Sequence, residues 1–305
     1  MTRSIPIGLT WAAAAILIWS GSLVMLRLGV TTSLNAYDLT MLRFGVATVI
    51  LLPVFWRHGI GPAGPVAAGA MVVLFGAPYV LLISLALTTA PSAAAGALNP
   101  GVMAIASVLL GRAIFGDRIG GARFLGIAVT ALGIALFTRA GGAIAVGHLI
   151  LVGTGVMWAG YALTVRRTHV PALTATAIVA VGSAVFYLPI YLFALPKEVG
   201  TAPAVDILLQ VVFQGVLVSV VAIYAFNRSA ELLGPVAGAT LPALIPVATL
   251  GLGVLVLGEV AGPLSLGSAG LVAAGLALIL VGPRVIDRLQ PSASRRRNPE
   301  PMEPR

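Results

Sequence analysis

The chain reads as an all-α integral membrane protein of about ten transmembrane helices, arranged as two inverted five-helix repeats. Three observations predict this. Of 305 residues, 59% are hydrophobic and 9% are charged, against roughly a quarter charged in soluble domains, and apolar runs of about 20 residues, long enough to span a bilayer, recur almost without pause. The stretch from Pro91 to Leu136 is echoed, with a two-residue slip, between Pro235 and Leu278. Each copy is an apolar helix opened by Pro, an acidic turn (Gly116-Asp117, Gly258-Glu259), then a second helix rich in Gly and Ala. The turns differ in charge: Arg112, Arg118 and Arg123 flank the first, whereas no basic residue lies between Arg228 and Arg284 around the second. Basic loops stay in the cytoplasm, so the copies are expected upside down relative to each other.

The elements follow from apolar runs bounded by polar or Gly/Pro punctuation. The first, Ile7–Leu28, begins like a signal peptide, but its apolar stretch is too long and no cleavage site follows, so it is read as a retained span. Then come Tyr37–Trp56, Val66–Thr88, Pro91–Leu110 and Gly121–Thr138, completing a first repeat within residues 1–142. Gly147–Val165, Pro171–Leu195, Ile207–Ala230, Val236–Leu257 and Leu264–Val281 make the second, within 143–283. Residues 284–305 are basic, polar and proline-rich, a composition that predicts a disordered tail. With the N-terminus inside, cytoplasmic segments hold 14 of the 18 basic residues; the other side receives Arg27, Arg43, Arg139 and Lys197. Both termini are therefore expected in the cytoplasm. Five is an odd number of helices, so the second half enters the membrane in the opposite sense.

The net charge of +9 comes from arginines spread through loops, which suits a topology signal and not a groove for nucleic acid. The chain has no cysteine, which excludes disulfides and thiolate metal sites. Arginine is strongly preferred over lysine, with Lys197 alone, and Ala and Gly are abundant, a composition that suits a GC-rich bacterial genome and hence a bacterial inner membrane. No HExxH, paired carboxylates or Ser/His/Asp set appears, and Asp117-Arg118 reads as a charge pair in a turn. No catalytic residue, metal site or cofactor is expected. Small residues, as in Gly126-xxx-Thr130, Gly133-xxx-Phe137 and Gly251-x-Gly253, let helices approach in lipid. They serve either packing within the chain or a dimer face, which leaves monomer and homodimer both open.

The residues resemble a known family. Trp19-Ser20-Gly21-Ser22 followed by Arg27, Leu42-Arg43-Phe44 with Pro53, the Gly-Asp and Gly-Glu turns, Pro246 thirteen residues before Glu259, Trp158-xx-Tyr161 before Arg166-Arg167, and Tyr224-xx-Asn227 resemble, in order and spacing, the EamA-type transporters of the drug/metabolite transporter superfamily. The first half departs in having Asp117 where Glu is usual, and Pro100 matches Pro242 instead of Pro246. The resemblance implies a secondary transporter exporting amino acids or related small amphiphilic metabolites. A structural or sensory membrane subunit, or an intramembrane enzyme acting on lipid-linked substrates, are the alternatives.

Candidate site residues are the polar and aromatic groups near mid-span. Proline frees a carbonyl inside a spanning helix, and such breaks line substrate sites in transporters; Pro78, Pro100, Pro189, Pro242 and Pro246 qualify, with Asn99 beside Pro100. Trp158 and Tyr161 share a helical face. Trp19, Ser22, Tyr79, Gln214 and Tyr224 complete the expected substrate-binding set. Arg27 and Arg43 either attract a substrate carboxylate or serve structure, by snorkelling or by pairing with Asp38. Trp11, Trp56 and Tyr191 fit an interfacial belt. No Asp, Glu or His falls in the centre of a span, so no proton relay within the membrane is expected, and the protein is expected to act as a facilitator or to couple only weakly to protons.

Overall fold

A computed structural model describes residues 5–140, 145–233 and 241–289, with side chains described as far as Gly282. The described residues are helical and turn. In chain order they form α1 (Ile5–Thr31), α2 (Ala36–His58), α3 (Gly64–Phe75), α4 (Ala77–Ala86), α5 (Ser92–Phe115), α6 (Gly121–Ala140), α7 (Val146–Thr168), α8 (Ala172–Ala194), α9 (Ala204–Gln210), α10 (Ala222–Leu233), α11 (Ile245–Leu257) and α12 (Pro263–Leu289). A π-helical segment, Val211–Val221, joins α9 to α10, and a 3-10 turn, Leu241–Leu244, leads into α11. Among the described residues nine helical stretches are long and apolar enough to cross a membrane, and the shorter apolar Leu241–Leu257, ninth in chain order, brings the passes to ten. The expected tail falls partly on α12, which runs eight residues past Val281 to Leu289; positions 290–305 lie outside the described residues.

Ten passes form two five-helix halves, and their packing is symmetric under exchange of pass n with pass n+5. The first pass packs on the eighth (α1 on α10) as the sixth packs on the third (α7 on α3 and α4). The ninth packs on the first (α11 on α1) as the fourth does on the sixth (α5 on α7), and the second packs on the eighth's π segment as the seventh does on the third (α8 on α3). Second with seventh, fourth with ninth and fifth with tenth pair with their own counterparts. Such exchange symmetry between antiparallel copies is that of an inverted repeat.

The fifth–tenth contact rests on small residues. On α6, Gly126, Thr130, Gly133 and Phe137 form the buried face, turned to α12. A Cβ at Gly126 would stand 2.8 Å from the Ile279 backbone nitrogen, and one at Gly133 2.8 Å from that of Val272. No side chain larger than hydrogen fits, and dispersion between the closely apposed backbones holds the pair. The Gly126–Phe137 face is therefore spent on packing within the chain.

Both acidic turns are the same device. Gly116 (φ 71°) ends α5 and Gly258 (φ 67°) ends α11, each in the left-handed region that glycine enters freely. The following acid closes the turn through its own N–H, Asp117 to the Gly111 carbonyl and Glu259 to the Gly253 carbonyl. Their side chains then bridge to other helices. Glu259 accepts from the Ser92 N–H (2.7 Å), the Ser92 hydroxyl (2.8 Å) and the Ala93 N–H (3.4 Å). It thus caps the N-terminus of α5, where Pro91 offers no side-chain cap and where a negative charge complements the helix dipole. Asp117 pairs with Arg166 of α7, whose Nη2 donates to Oδ1 at 2.9 Å, and not with Arg118; sequence adjacency is the poorer geometry, because Arg166 approaches as a two-pronged fork. Those hydrogen bonds hold the Asp117 carboxyl below the usual carboxylate range. Arg166 is itself seated on the Phe115 ring at 4.4 Å.

Candidate functional site

Two equivalent passes, the third and the eighth, are discontinuous. The third breaks at Gly76, between α3 and α4, and the freed Ala77 N–H donates to the Ser183 hydroxyl of α8 at 3.0 Å. The eighth contains the π segment, in which the Ser219 hydroxyl donates to the Gln214 carbonyl at 3.0 Å. The fourth carries Pro100 inside α5, and its counterpart, the ninth, opens on Pro242 in the 3-10 turn and Pro246 at the start of α11. Irregular backbone at membrane depth is tolerated where it is buried in protein or borders a cavity.

Between the halves lies a cavity of about 380 Å³. Trp19, Ser22, Arg43, Tyr79, Asn99, Pro100, Trp158, Tyr161 and Pro242 all line it. At the end of the bundle where α1 begins, its walls reach the exposed residues Ala172 and Asn227. At the opposite end they stop at Leu26, Val80 and Ile83, all 4% exposed or less. Beyond these the helices are tied together: Arg27 donates to the Leu87 carbonyl at the end of α4, and the Gln210 amide to the Met25 carbonyl at 2.7 Å. Among the described residues the cavity is thus closed at one end and reaches exposed residues at the other.

One wall is aromatic. Phe75, at the break in the third pass, stacks on Tyr161 (ring centroids 4.4 Å apart, planes 9° apart) and lies 4.8 Å from Tyr79 and 5.8 Å from Trp158. Behind it the Tyr79 hydroxyl donates to Asn99 Oδ1 (3.0 Å), and Asn99 Nδ2 donates to the Thr154 hydroxyl (2.8 Å). This chain satisfies both ends of an amide that is 2% exposed and joins the third, fourth and sixth passes. The facing wall is polar at one point. Gln214 Oε1 accepts from the Ser22 hydroxyl (3.0 Å) and from Arg43 Nη1 (3.3 Å), and its Nε2 donates to the Ser22 carbonyl (3.0 Å).

The remaining expected residues lie elsewhere. Gln214 is fully buried behind Ser22 and Arg43 and does not border the cavity. Tyr224 is 58% exposed and meets Trp11 edge-on at 5.4 Å on the outer face of the bundle. Pro246 is buried in α11 outside the lining, and Arg27 ties α1 to α4. Arg43 has no carboxylate in reach among the described residues. Asp38, its expected alternative partner, is engaged by the Tyr191 hydroxyl (2.6 Å), the Glu198 N–H (3.0 Å) and the Asn35 N–H (3.3 Å). Tyr191 is consequently 2% exposed, a buried ligand of Asp38 and not an interfacial anchor. Sequence reasoning missed Phe75, Phe226 (5.3 Å from Trp19) and Met103; an apolar residue in an apolar run carries no mark of the face it takes. Among the described residues no cluster of three or more His, Cys, Asp or Glu side chains forms a metal site.

The model of the EamA-like transporter family matches residues 6–139 and again 145–281. The chain belongs to the EamA-like transporter family. It is thereby a member of the drug/metabolite transporter superfamily, and a multi-pass membrane protein of a family of transporters. The fold of this EamA-like chain is also similar to one solved as a crystal structure, at 22% identity and a TM-score of 0.59, covering 95% of this chain and 98% of that one. No curated protein matches the sequence.

Proposed function

We propose that this EamA-like chain is a secondary transporter of the bacterial inner membrane, exporting amino acids or related small amphiphilic metabolites by alternating access. The observation that carries the reading is the cavity between the halves, sealed at one end and open at the other. Rocking of one five-helix half against the other exchanges which end is sealed, and the discontinuities at Gly76, the π segment, Pro100, Pro242 and Pro246 are where the helices bend. A volume of about 380 Å³ falls in the range of small-molecule sites, ~300–1,000 Å³. Aromatic rings receive the apolar body of the substrate, while Ser22, Asn99 and Arg43 meet its polar end. With both termini in the cytoplasm, as the arginines argue, the open end faces the cytoplasm and this is the loading state. Among the described residues no Asp, Glu or His lines the cavity, so the protein works as a facilitator whose direction the electrochemical gradient of the substrate sets.

Counterflow in proteoliposomes tests the reading. Vesicles preloaded with unlabelled amino acids should transiently accumulate the labelled compound above equilibrium, which a structural subunit or an enzyme does not produce. Absence of counterflow across amino acids and their N-acyl derivatives overturns it.

A further inference from the structure

Among the described residues that line the cavity, Arg43 is the one fully charged side chain. Its guanidinium carries five N–H donors and stays protonated at any physiological pH. One of these donors is used, by Gln214 Oε1 at 3.3 Å. The two ion pairs among the described residues, Arg166–Asp117 and Arg228–Glu231, involve other residues. The carboxylate nearest in sequence, Asp38, is satisfied by Tyr191 and backbone amides. Gln214 is fixed in turn by both its bonds to Ser22, so the fork is held at one corner and its other donors have no partner among the described residues. Arg43 is half-buried, and a cation partly withdrawn from water without a counterion gains from a ligand that supplies one. Planar bidentate recognition of a carboxylate is what a guanidinium does best. A zwitterion is served less well: among the described residues no carboxylate lines the cavity to meet an ammonium, and Phe75 has one face stacked on Tyr161 and Tyr79 tilted against it, which leaves that ring little open face for a cation.

We infer, building on the transport reading above, that the substrate is a monoanionic amphiphile, a carboxylate on an apolar body without a free amine, and that its export is driven by the membrane potential. The loaded cavity is then electroneutral and the empty one carries a single positive charge. One cycle moves one negative charge outward with no proton bound to the protein. An interior-negative potential pulls such an anion out, so neither a proton relay nor a second ion is needed. Among the described residues, the absence of Asp, Glu and His from the cavity and the presence of a lone arginine in it become one design.

The test uses three probes of nearly one shape: N-acetylphenylalanine (anion), phenylalanine (zwitterion) and phenethylamine (cation). Proteoliposomes hold equal labelled probe on both sides, and potassium with valinomycin sets an interior-negative potential. N-acetylphenylalanine should leave the lumen until its inside concentration falls about tenfold for every ~60 mV applied, with no response to an imposed pH difference. Phenylalanine and phenethylamine should move at least ten times more slowly. Arg43→Gln should abolish movement of the anion, while Arg43→Lys, which keeps the charge and loses the fork, should keep the potential dependence with weaker apparent affinity. The wild-type voltage series decides even where a variant fails to fold. If phenylalanine moves as fast as its acetyl derivative, or the anion follows pH and not voltage, the inference falls and the transport reading stands. If no probe moves and none quenches the fluorescence of Trp19 and Trp158, both fall together.

Discussion

At the scale of single residues, Asn99 and Trp158 do different work. Asn99 spends one end of its amide on Tyr79 and the other on Thr154, so removing it strands a buried phenol, a loss of about 1–3 kcal/mol. Asn99→Ala should lower both the melting temperature in detergent and the transport rate. Trp158 is half-buried at the cavity wall, and its contact with substrate is an aromatic one worth ~0.5–1.5 kcal/mol beyond area. Trp158→Ala should cost about tenfold in transport with a melting temperature near wild type, measured on the same purified protein. Tyr224→Ala, on the outer face, should leave transport within about twofold; a loss as large as that at Trp158 contradicts the placement. Mid-span polarity made Asn99, Trp158 and Tyr161 legible in the sequence, because a lone amide or indole at that depth has few good places to go. Tyr224 was not legible for a geometric reason. It follows the π segment Val211–Val221, whose wider turns rotate everything downstream relative to a regular α-helix. Arg43 and Asp38 illustrate a related failure. Five residues apart on a helix they face about 140° away from each other, and Asp38 folds back onto the N-cap of α2 in a capping box.

Elements were legible where an apolar run ended in a strong signal, as at Gly116-Asp117 and Gly258-Glu259, and illegible where a break hides inside such a run. The third pass reads as continuous because Pro78 suggests a simple kink, yet the chain parts at Gly76, where Ser183 from another helix takes the freed amide. A tertiary partner of that kind leaves no local trace. Helix-level energetics centre on two seams. Gly133→Val forces a methyl into the backbone of α12, since even a Cβ stands 2.8 Å from the Val272 nitrogen; overpacking of this kind costs ~1–3 kcal/mol or more. Glu259→Ala strips the N-terminus of α5 of the carboxylate that accepts from Ser92 and Ala93, a cap worth about 1–2 kcal/mol. Both variants should melt several degrees below wild type in the same detergent, and Gly251→Ala, where no neighbouring atom lies within 4 Å of the new Cβ, should not. Equal melting of all three would remove the seam and the cap from the account.

On the scale of the whole molecule, inversion of the two halves and orientation in the membrane are separate matters. Exchange symmetry in the packing, with an odd number of passes in each half, carries the first without reference to a bilayer. The second rests on charge: Arg57, Arg112, Arg166 and Arg167 sit in the last turns of α2, α5 and α7, all at the end of the bundle where α1 begins, while the far end has Arg139 in the last turn of α6 and Lys197 beyond α8. Translocating an arginine-rich loop is disfavoured, so the end with the open cavity is expected in the cytoplasm. The cysteine-free chain makes a direct measurement possible. Gly120 and Gly262 occupy the two equivalent loops, and a Cβ at either meets no atom within 4 Å, so Gly120→Cys and Gly262→Cys should fold as the parent does. In intact spheroplasts a membrane-impermeant maleimide should label Gly262→Cys and leave Gly120→Cys unlabelled until the membrane is opened. Labelling of both from outside denies the inversion. The reversed pattern keeps the inversion but turns the open cavity to the outside, which makes the loading state an uptake state and removes the argument for export.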